Sequence, residues 1–434
     1  MSREGAGVVD ATVIRLLVMS FVIALSTSGF VFAVPFYVLA KLGRTDAVGT
    51  VVAVWTFGYI VSCLLSQRMA DRLSPRTLVT VSTAGVGLFI FLFRFTATVP
   101  QMSVVGLLYG LFLGGVWAPM MGWLSGDAEG VTLSRRLGLF NISWSVSVII
   151  APVLASHLVK QSITLPFGVM TAVTVVAMLV VLTTRHQGRP KTEKGQPAPI
   201  AAIAGEEPVS AAVEQPMRLD PGKMQYIRYL AWIGAAVAYM AIGVCRFQMP
   251  HLAKTVHMDE VVFGWVMMSL SLAITAAFFV MARWTGWHGG SRWVFLPQIL
   301  LVGVSILLTW ATTAWTMIPL MLATGFAAGF LYACSVFYGS LGAAPAVRTR
   351  RMAIHEVCLN IGIIAGSYFG NLLSQYLGPS HVYPYLAGAI ILAIVVQAVG
   401  WKVLLARYAR GARLAAPIEG GAGPGLNPLL TRQE

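Results

Sequence analysis

Long apolar runs recur along the whole chain and constrain its fold more than any other feature. Each is long enough for the ~20 residues with which a helix spans a bilayer. Only 11% of the 434 residues are charged, and a soluble fold of this length needs far more polar surface than that. The alternating pattern of barrel strands is absent. The sequence therefore predicts an all-α polytopic membrane protein with twelve transmembrane helices, at residues 13–40, 47–66, 77–97, 99–123, 137–160, 164–183, 226–250, 260–282, 293–312, 314–341, 353–376 and 381–406.

Basic residues are distributed unevenly between the predicted loops. With the N-terminus inside, all but six of the 30 Lys and Arg residues fall in cytoplasmic segments or at their edges. This asymmetry is the positive-inside rule, and it predicts cytoplasmic N- and C-termini in a cell inner (plasma) membrane. The net charge of +14 then reflects orientation, so no nucleic-acid partner is expected. The six residues predicted on or near the outer side are Lys41, Arg44, Arg94, Lys160, Arg246 and Lys254.

Two polar segments interrupt the apolar pattern. Residues 184–225 are rich in Pro, Ala and charge, and we expect a mobile cytoplasmic linker there. Residues 411–434 have a similar composition and predict a disordered C-terminal tail. The remaining chain divides into an N-terminal six-helix half, residues 1–183, and a C-terminal six-helix half, residues 226–410.

The two halves are related in sequence. A shift of 215 residues places Gly110 on Gly325 and Gly114 on Gly329, and it places the Ser134-Arg135-Arg136 run on residues 349–351. A shift of 213 residues aligns the first helix of each half. Because six spans is an even number, the repeats point the same way across the membrane. Parallel six-helix repeats are one design of secondary transporters.

The loop between spans 2 and 3 reads "QRMADRLSPR", with Asp71, Arg72 and Arg76 at the charged positions of a known motif. Span 5 has Pro152 among small residues where antiporters have a glycine-rich pattern. On these residues the chain resembles the major facilitator superfamily, and its drug-efflux branch in particular. The resemblance implies two parallel six-helix repeats and transport by alternating access. Gly106 stands where proton-coupled members have an arginine, so protons are only a possible coupling ion.

Glu356 is the one acid in the interior of a predicted span, since Glu260 stands at the first residue of the span 260–282. Ionisable groups at membrane depth usually face a cavity or a partner. On span 11 it begins a polar stripe with Asn360, Ser367, Asn371 and Ser374, which we expect to face protein or water. The resemblance implies that the loop between spans 2 and 3 packs near the start of span 11. We therefore predict a cytoplasmic gate, with proton binding by Glu356 as the alternative; its residues are Asp71, Arg68, Arg72, Arg350, Glu356, Asn141 and Asn360.

Spans 1, 4, 7 and 10 line the pathway in the resembled family. In this chain they offer hydroxyl and aromatic side chains and one arginine, which suits an amphipathic or weakly anionic solute better than a cation. The predicted substrate cavity consists of Ser28, Tyr109, Trp117, Tyr239, Arg246, Tyr332, Ser335 and Tyr338.

Other functions are disfavoured by the sequence. His355-Glu356 lacks the second histidine of a zinc-protease motif, and no nucleotide or nucleophile motif appears. We expect no cofactor, no metal and no enzyme activity. The sequence predicts a monomeric secondary transporter that exports a small amphipathic solute through the lipid bilayer. Uptake of an organic anion through Arg246 is one alternative, and a transporter-like sensor or assembly factor that moves nothing is another.

Overall fold

The computed structural model describes residues 11–70, 73–125, 130–184, 221–284, 286–288, 290–341 and 345–415. These residues form twelve long α-helices, one short helix (α8) and a 3-10 turn, with no strand among them. The helices are α1 (Ala11–Leu42), α2 (Thr45–Ala70), α3 (Pro75–Phe93), α4 (Val99–Ser125), α5 (Gly130–Gln161), α6 (Leu165–Thr183), α7 (Pro221–Phe247), α8 (Met249–Thr255), α9 (Glu260–Arg283), α10 (Arg292–Leu308), α11 (Ala314–Ser340), α12 (Pro345–Leu377) and α13 (Val382–Ala415).

Every predicted span coincides with a helix, which confirms the all-α polytopic prediction. Eleven stretches within the described residues are long and apolar enough to cross a membrane, and the twelfth, α10, has 17 residues. The seventh span is broken at Gln248, which separates α7 from α8. Pro250 explains the break, because its ring nitrogen has no hydrogen to donate to the carbonyl one turn earlier.

Helix ends differ from the predicted boundaries at both polar segments. Helix α7 begins at Pro221, inside the predicted linker, and α13 runs to Ala415, past the predicted start of the tail at residue 411. Residues 185–220 and 416–434 lie outside the described part of the chain. The linker and the disordered tail therefore remain predictions.

Repeat-related glycines pack in the same way in both halves. A Cβ added at Gly110 of α4 would collide with the Trp55 carbonyl of α2, and one at Gly325 of α11 would collide with the Leu270 carbonyl of α9. Glycine permits this close approach because it has no side chain. The 215-residue repeat in the sequence thus corresponds to the same helix-pair packing in each half.

Repeat-related arginines also make equivalent contacts. Arg136 on α5 donates to the Leu124 carbonyl near the end of α4, over 3.4 Å. Arg351 on α12 donates to the Leu341 carbonyl just after α11, over 3.3 Å. Each guanidinium supplies a donor to a carbonyl that has no partner within its own helix, where the helix dipole also favours a positive charge.

The two groups of six helices meet mainly where α2 packs on α12 and α5 packs on α9. We call the side of the molecule where α6 ends and α7 begins the linker face, and the other side the opposite face. At the opposite face, Lys160 at the end of α5 forms an ion pair with Asp259, the N-cap of α9. Thr45 at the start of α2 donates its backbone N–H to Gln375 of α12, over 2.9 Å. These contacts close the opposite face.

Candidate functional site

A cavity lies between the two halves, and helices α1, α5, α7 and α9 form its walls. The space between its walls amounts to about 450 Å³, which includes the solvent at its open mouth. The walls are mostly apolar. The lining consists of Ser28, Val31, Phe32, Val148, Pro152, Arg246, Met267, Leu270 and Ser271.

Aromatic rings cap this cavity toward the opposite face. Phe263 of α9 packs against Phe32 and Phe36 of α1, with ring centroids 5.9 and 5.8 Å apart. Phe36 is one turn nearer the opposite face than Phe32, so these rings form a layer above the cavity. The Lys254 ammonium lies 5.9 Å from the centroid of the Phe36 ring. Apolar contacts and cation–π attraction thus seal the same side as the Lys160–Asp259 pair.

The Lys160–Asp259 ion pair lies outside the layer of rings. Its atoms are 2.5 Å apart, and both side chains are exposed to solvent. The hydrogen bond from the Lys160 ammonium lowers the pKa of the Asp259 carboxyl below its ordinary value. Exposed ion pairs contribute little to stability, so this contact between the two halves can break at a small cost in free energy.

Helix packing at the opposite face is tight enough to exclude side chains. A Cβ at Gly49 of α2 would lie 2.7 Å from the Ser367 carbonyl of α12, and one at Gly264 of α9 would collide with Ser156 of α5. Both glycines lie where one half meets the other. Small residues at such seams let two helices approach closely within a membrane.

Arg246 and Ser28 are the only predicted cavity residues that line the observed cavity. Arg246 is half-buried near the end of α7, and no hydrogen bond or ion pair joins it to another described residue. Ser28 is half-buried on α1. The sequence missed Ser271 and the apolar lining of α9, because helix α9 was not among those expected to face the pathway.

Tyr239 and Tyr332 form a second group of predicted residues that the structure brings together. Their rings stack with centroids 6.0 Å apart, linking α7 to α11. Tyr239 lies within electrostatic range of both Arg246 and Glu356. The two tyrosines therefore lie beside the acid of α12, one to two helical turns from the lining of the cavity.

Four predicted cavity residues pack within one half instead. Tyr109 is fully buried against Phe30 and Trp55, and its hydroxyl has no hydrogen-bond partner among the described residues. The other three also have partners in their own half: Trp117 contacts Phe140, Ser335 bonds the His355 ring, and Tyr338 packs on Trp287. None of these four lines the observed cavity, and their place in the transport pathway stays a prediction.

Glu356 has a partner that the sequence did not predict. The Tyr59 hydroxyl of α2 donates to the Glu356 carboxylate of α12, and Cys63 lies one turn further along α2. Asn360 of the predicted gate donates to the Glu356 backbone carbonyl over 2.8 Å, so its amide satisfies its own helix. Asn141 is exposed on α5 and accepts from the Trp144 indole.

Four charged residues of the predicted gate lie outside the described side chains. Asp71 and Arg72 are not described, and only the helical backbone is described at Arg68 and Arg350. Their contact with Glu356 therefore stays a prediction.

The polar stripe of α12 faces protein, as predicted. Asn360, Ser367, Asn371 and Ser374 are all buried. The side chains of Asn371 and Ser374, and that of Ser156 on α5, form no hydrogen bond across the halves among the described residues. The Asn371 amide donates to its own helix, Ser374 bonds His251 of the same half, and Ser156 bonds Val153. Within the stripe, the Asn371 backbone carbonyl accepts across the interface from the Thr45 hydroxyl. Short polar side chains in a membrane helix satisfy themselves locally when the backbone carbonyl one turn earlier is within reach.

Two repeated six-helix halves with a cavity between them are one architecture of secondary transporters. The profile of the Major Facilitator Superfamily matches residues 16–223 and 231–431. The chain belongs to this superfamily, a family of membrane transporters. The earlier resemblance is thus confirmed at the level of the superfamily, and the efflux branch remains a proposal.

Solved structures share the fold at low sequence identity. A mutant of the nucleoside transporter NupG is 13% identical with a TM-score of 0.68, covering 89% of this chain and 99% of that chain. A POT family transporter in complex with a thioalcohol-conjugated peptide is 11% identical with a TM-score of 0.69, covering 90% and 96%. A bacterial homolog of the human lysosomal transporter Spinster, inward-facing and unoccupied, is 10% identical with a TM-score of 0.64, covering 89% and 94%. No curated protein sequence matches the chain.

Proposed function

We propose that the protein is a secondary active transporter that exports a small amphipathic organic solute by alternating access. The observation that carries the proposal is the cavity between the halves, apolar on most sides and capped at the opposite face. Such a site binds a solute with one polar end and an apolar body. Rocking of the halves would expose it to each side of the membrane in turn.

The direction of access follows from the interface. The contacts between halves described above run from Glu356, near mid-helix, to the opposite face, and none joins described side chains at the linker face. The cavity is therefore proposed to open toward the linker face in this conformation. The basic asymmetry of the loops supports a cytoplasmic position for that face. Single cysteines test the orientation: one in the 184–225 linker should be labelled only from the cytoplasm, and one at Thr255 only from outside.

Reconstitution tests transport directly. Purified protein in proteoliposomes should move members of a panel of amphipathic acids, amides and amines, in the direction from the linker face outward. Ser28→Trp should abolish this movement, because an indole would fill the cavity that Ser28 lines. Val104→Trp is the matched control, since Val104 is 58% exposed on α4 and away from the cavity.

The outcomes separate the candidate functions. Inward movement of acids alone would favour the uptake of an organic anion. A protein that moves nothing in either direction would be a sensor or assembly factor and would refute the proposal. Normal transport by Ser28→Trp would show that the solute binds elsewhere.

A further inference from the structure

Arg246 brings a positive charge into the cavity that no described residue neutralises. Its guanidinium lines the cavity and is half-buried, with no hydrogen bond or ion pair to another described side chain. A guanidinium carries five N–H donors and stays charged in proteins. Its partial desolvation without a partner is costly, so such a group is normally matched by an anion.

The acids of the described interface are already engaged elsewhere. Glu356 meets the Tyr59 hydroxyl, and Asp259 is paired with Lys160. No ion pair joins Arg246 to either of these acids, or to Glu260, among the described residues.

The charge of the cavity limits the charge of its ligand. Arg246 is the only ionisable residue of the lining. One guanidinium binds one carboxylate through two parallel N–H···O bonds, and this geometry neutralises a single negative charge. A phosphate dianion would keep an unbalanced charge among apolar walls, which is unfavourable. The lining therefore suits a monoanion.

The rest of the lining defines the body of the ligand. Val31, Phe32, Met267 and Leu270 present apolar surface, while the hydroxyl groups of Ser28 and Ser271 are small polar points. Ser271 makes only a long 3.5 Å bond to its own helix, so its hydroxyl is free to reorient. Burial of an apolar chain or ring against such walls stabilises binding in proportion to the area removed from water.

We propose that this cavity binds organic monocarboxylates, with the carboxylate on Arg246 and the apolar body against α1 and α9. The inference rests on the proposed function only in using the same cavity. It specifies the class of solute and the residue that recognises it, and it leaves the direction of transport open.

Binding to the purified protein in nanodiscs tests the class without requiring transport. The probes are straight-chain and phenyl-substituted monocarboxylates of two to ten carbons, such as 4-phenylbutyrate, with their primary amides and amines. Isothermal titration calorimetry should give a Kd at least tenfold lower for the best acid than for its own amide. The matching amine should bind more weakly still, because Arg246 repels it.

Substitutions assign the discrimination to Arg246. Arg246→Gln should bring the acid and amide affinities together, and Arg246→Lys should keep a preference for the acid, since it keeps the charge. Arg283→Gln is the matched control: it removes one positive charge from an exposed arginine at the end of α9 and should leave the preference unchanged. The wild-type comparison of acid with amide stands even where a variant fails to fold.

Three results would overturn the inference. They are the absence of binding by every acid of the series, equal binding of acids and amides to the wild-type protein, and a preference that survives Arg246→Gln. Transport of neutral or cationic solutes alongside any of these results would leave the proposed function intact. Acid binding without any transport would instead refute the proposed function and support the inference.

Discussion

The Tyr59 hydroxyl of α2 donates to the Glu356 carboxylate of α12, so an acid inside a membrane-spanning helix meets the other half of the molecule. The contact lies on the interface where α2 and α12 pack. An acid placed there responds to any movement that separates the two helices. We therefore keep Glu356 as a gate residue, with Tyr59 added as its partner.

Removing the charge of Glu356 should impair transport. We expect Glu356→Gln to lower the initial rate in proteoliposomes by about tenfold, and Tyr59→Phe to lower it less. The double variant should be no slower than Glu356→Gln, because two side chains in contact have non-additive effects. Tyr368→Phe, at an exposed tyrosine of α12, is the control and should transport normally. Fully additive losses would exclude the pair.

The same variant separates a gate from a proton carrier. A gate residue changes the balance between conformations, whereas a proton carrier changes the response of transport to a pH gradient. Glu356→Gln with an unchanged balance and no pH-driven transport would favour proton binding. The predicted contact with Arg72 gives a further test, since Arg72→Ala should shift the conformations as Glu356→Gln does.

Closure of the opposite face depends on Gly49. A Cβ there would lie 2.7 Å from the Ser367 carbonyl, so Gly49→Val should hold α2 away from α12. A cysteine at Ser271, in the cavity, should then react with an impermeant thiol reagent from the opposite face at least tenfold faster. Gly303→Val is the matched control, because nothing lies within 4 Å of the added Cβ. Equal reactivity in both variants would mean that the α2–α12 seam does not close the cavity.

The Lys160–Asp259 pair should make the closure of the opposite face sensitive to acid. Asp259 has a lowered pKa because Lys160 donates to it, so the pair contributes at neutral pH and is lost as pH falls through that lowered pKa. Asp259→Asn should raise the thiol reactivity of the Ser271 cysteine severalfold at neutral pH and remove its acid dependence. Exchanging the two residues, Lys160→Asp with Asp259→Lys, should restore the wild-type reactivity. A variant indistinguishable from wild type would show that the rings alone seal this face.

Tyr109 distinguishes packing from solute binding. Its hydroxyl is buried without a partner among the described residues, and such a group costs roughly 1–3 kcal/mol. Tyr109→Phe should therefore leave transport unchanged and raise the melting temperature by a few degrees. Tyr239→Phe, at a half-buried tyrosine beside Glu356, is the comparison and should slow transport. Loss of transport in Tyr109→Phe would indicate that the Tyr109 hydroxyl contacts the solute in the transport pathway.

Sequence reasoning predicts the helices well because the bilayer fixes their length and composition. All twelve spans follow from apolar runs, and the repeat anticipates the matching contacts of Gly110 and Gly325. Pro250, in the first turn of α8, is the sequence feature that indicates the helix break at Gln248. The polar stripe of α12 also indicates which face of this helix is buried, since a run of polar groups does not face lipid.

The inward faces of the other helices are much harder to predict. Lipid tails and protein interiors are both apolar, so α4 and α11 have no polar face that marks the pathway. The sequence therefore does not reveal that Tyr338 and Ser335 are buried, although their side chains are only 1% and 0% exposed, and it gives them the same expected position as Tyr332. The pairing of Glu356 with Tyr59 depends on how α2 and α12 align, and no local pattern encodes that alignment.

Distances between spin labels on the two faces test the alternating-access account most directly. In a cysteine-free chain, one label pair at Leu182 and Lys402 reports the linker face, and another at Ser162 and Thr255 reports the opposite face; all four residues are exposed. Pulsed electron resonance in nanodiscs, with and without a transported solute, should show reciprocal changes. As the linker-face distance shortens, the opposite-face distance should lengthen. Distances that stay fixed under solute, or that lengthen together, would contradict the account.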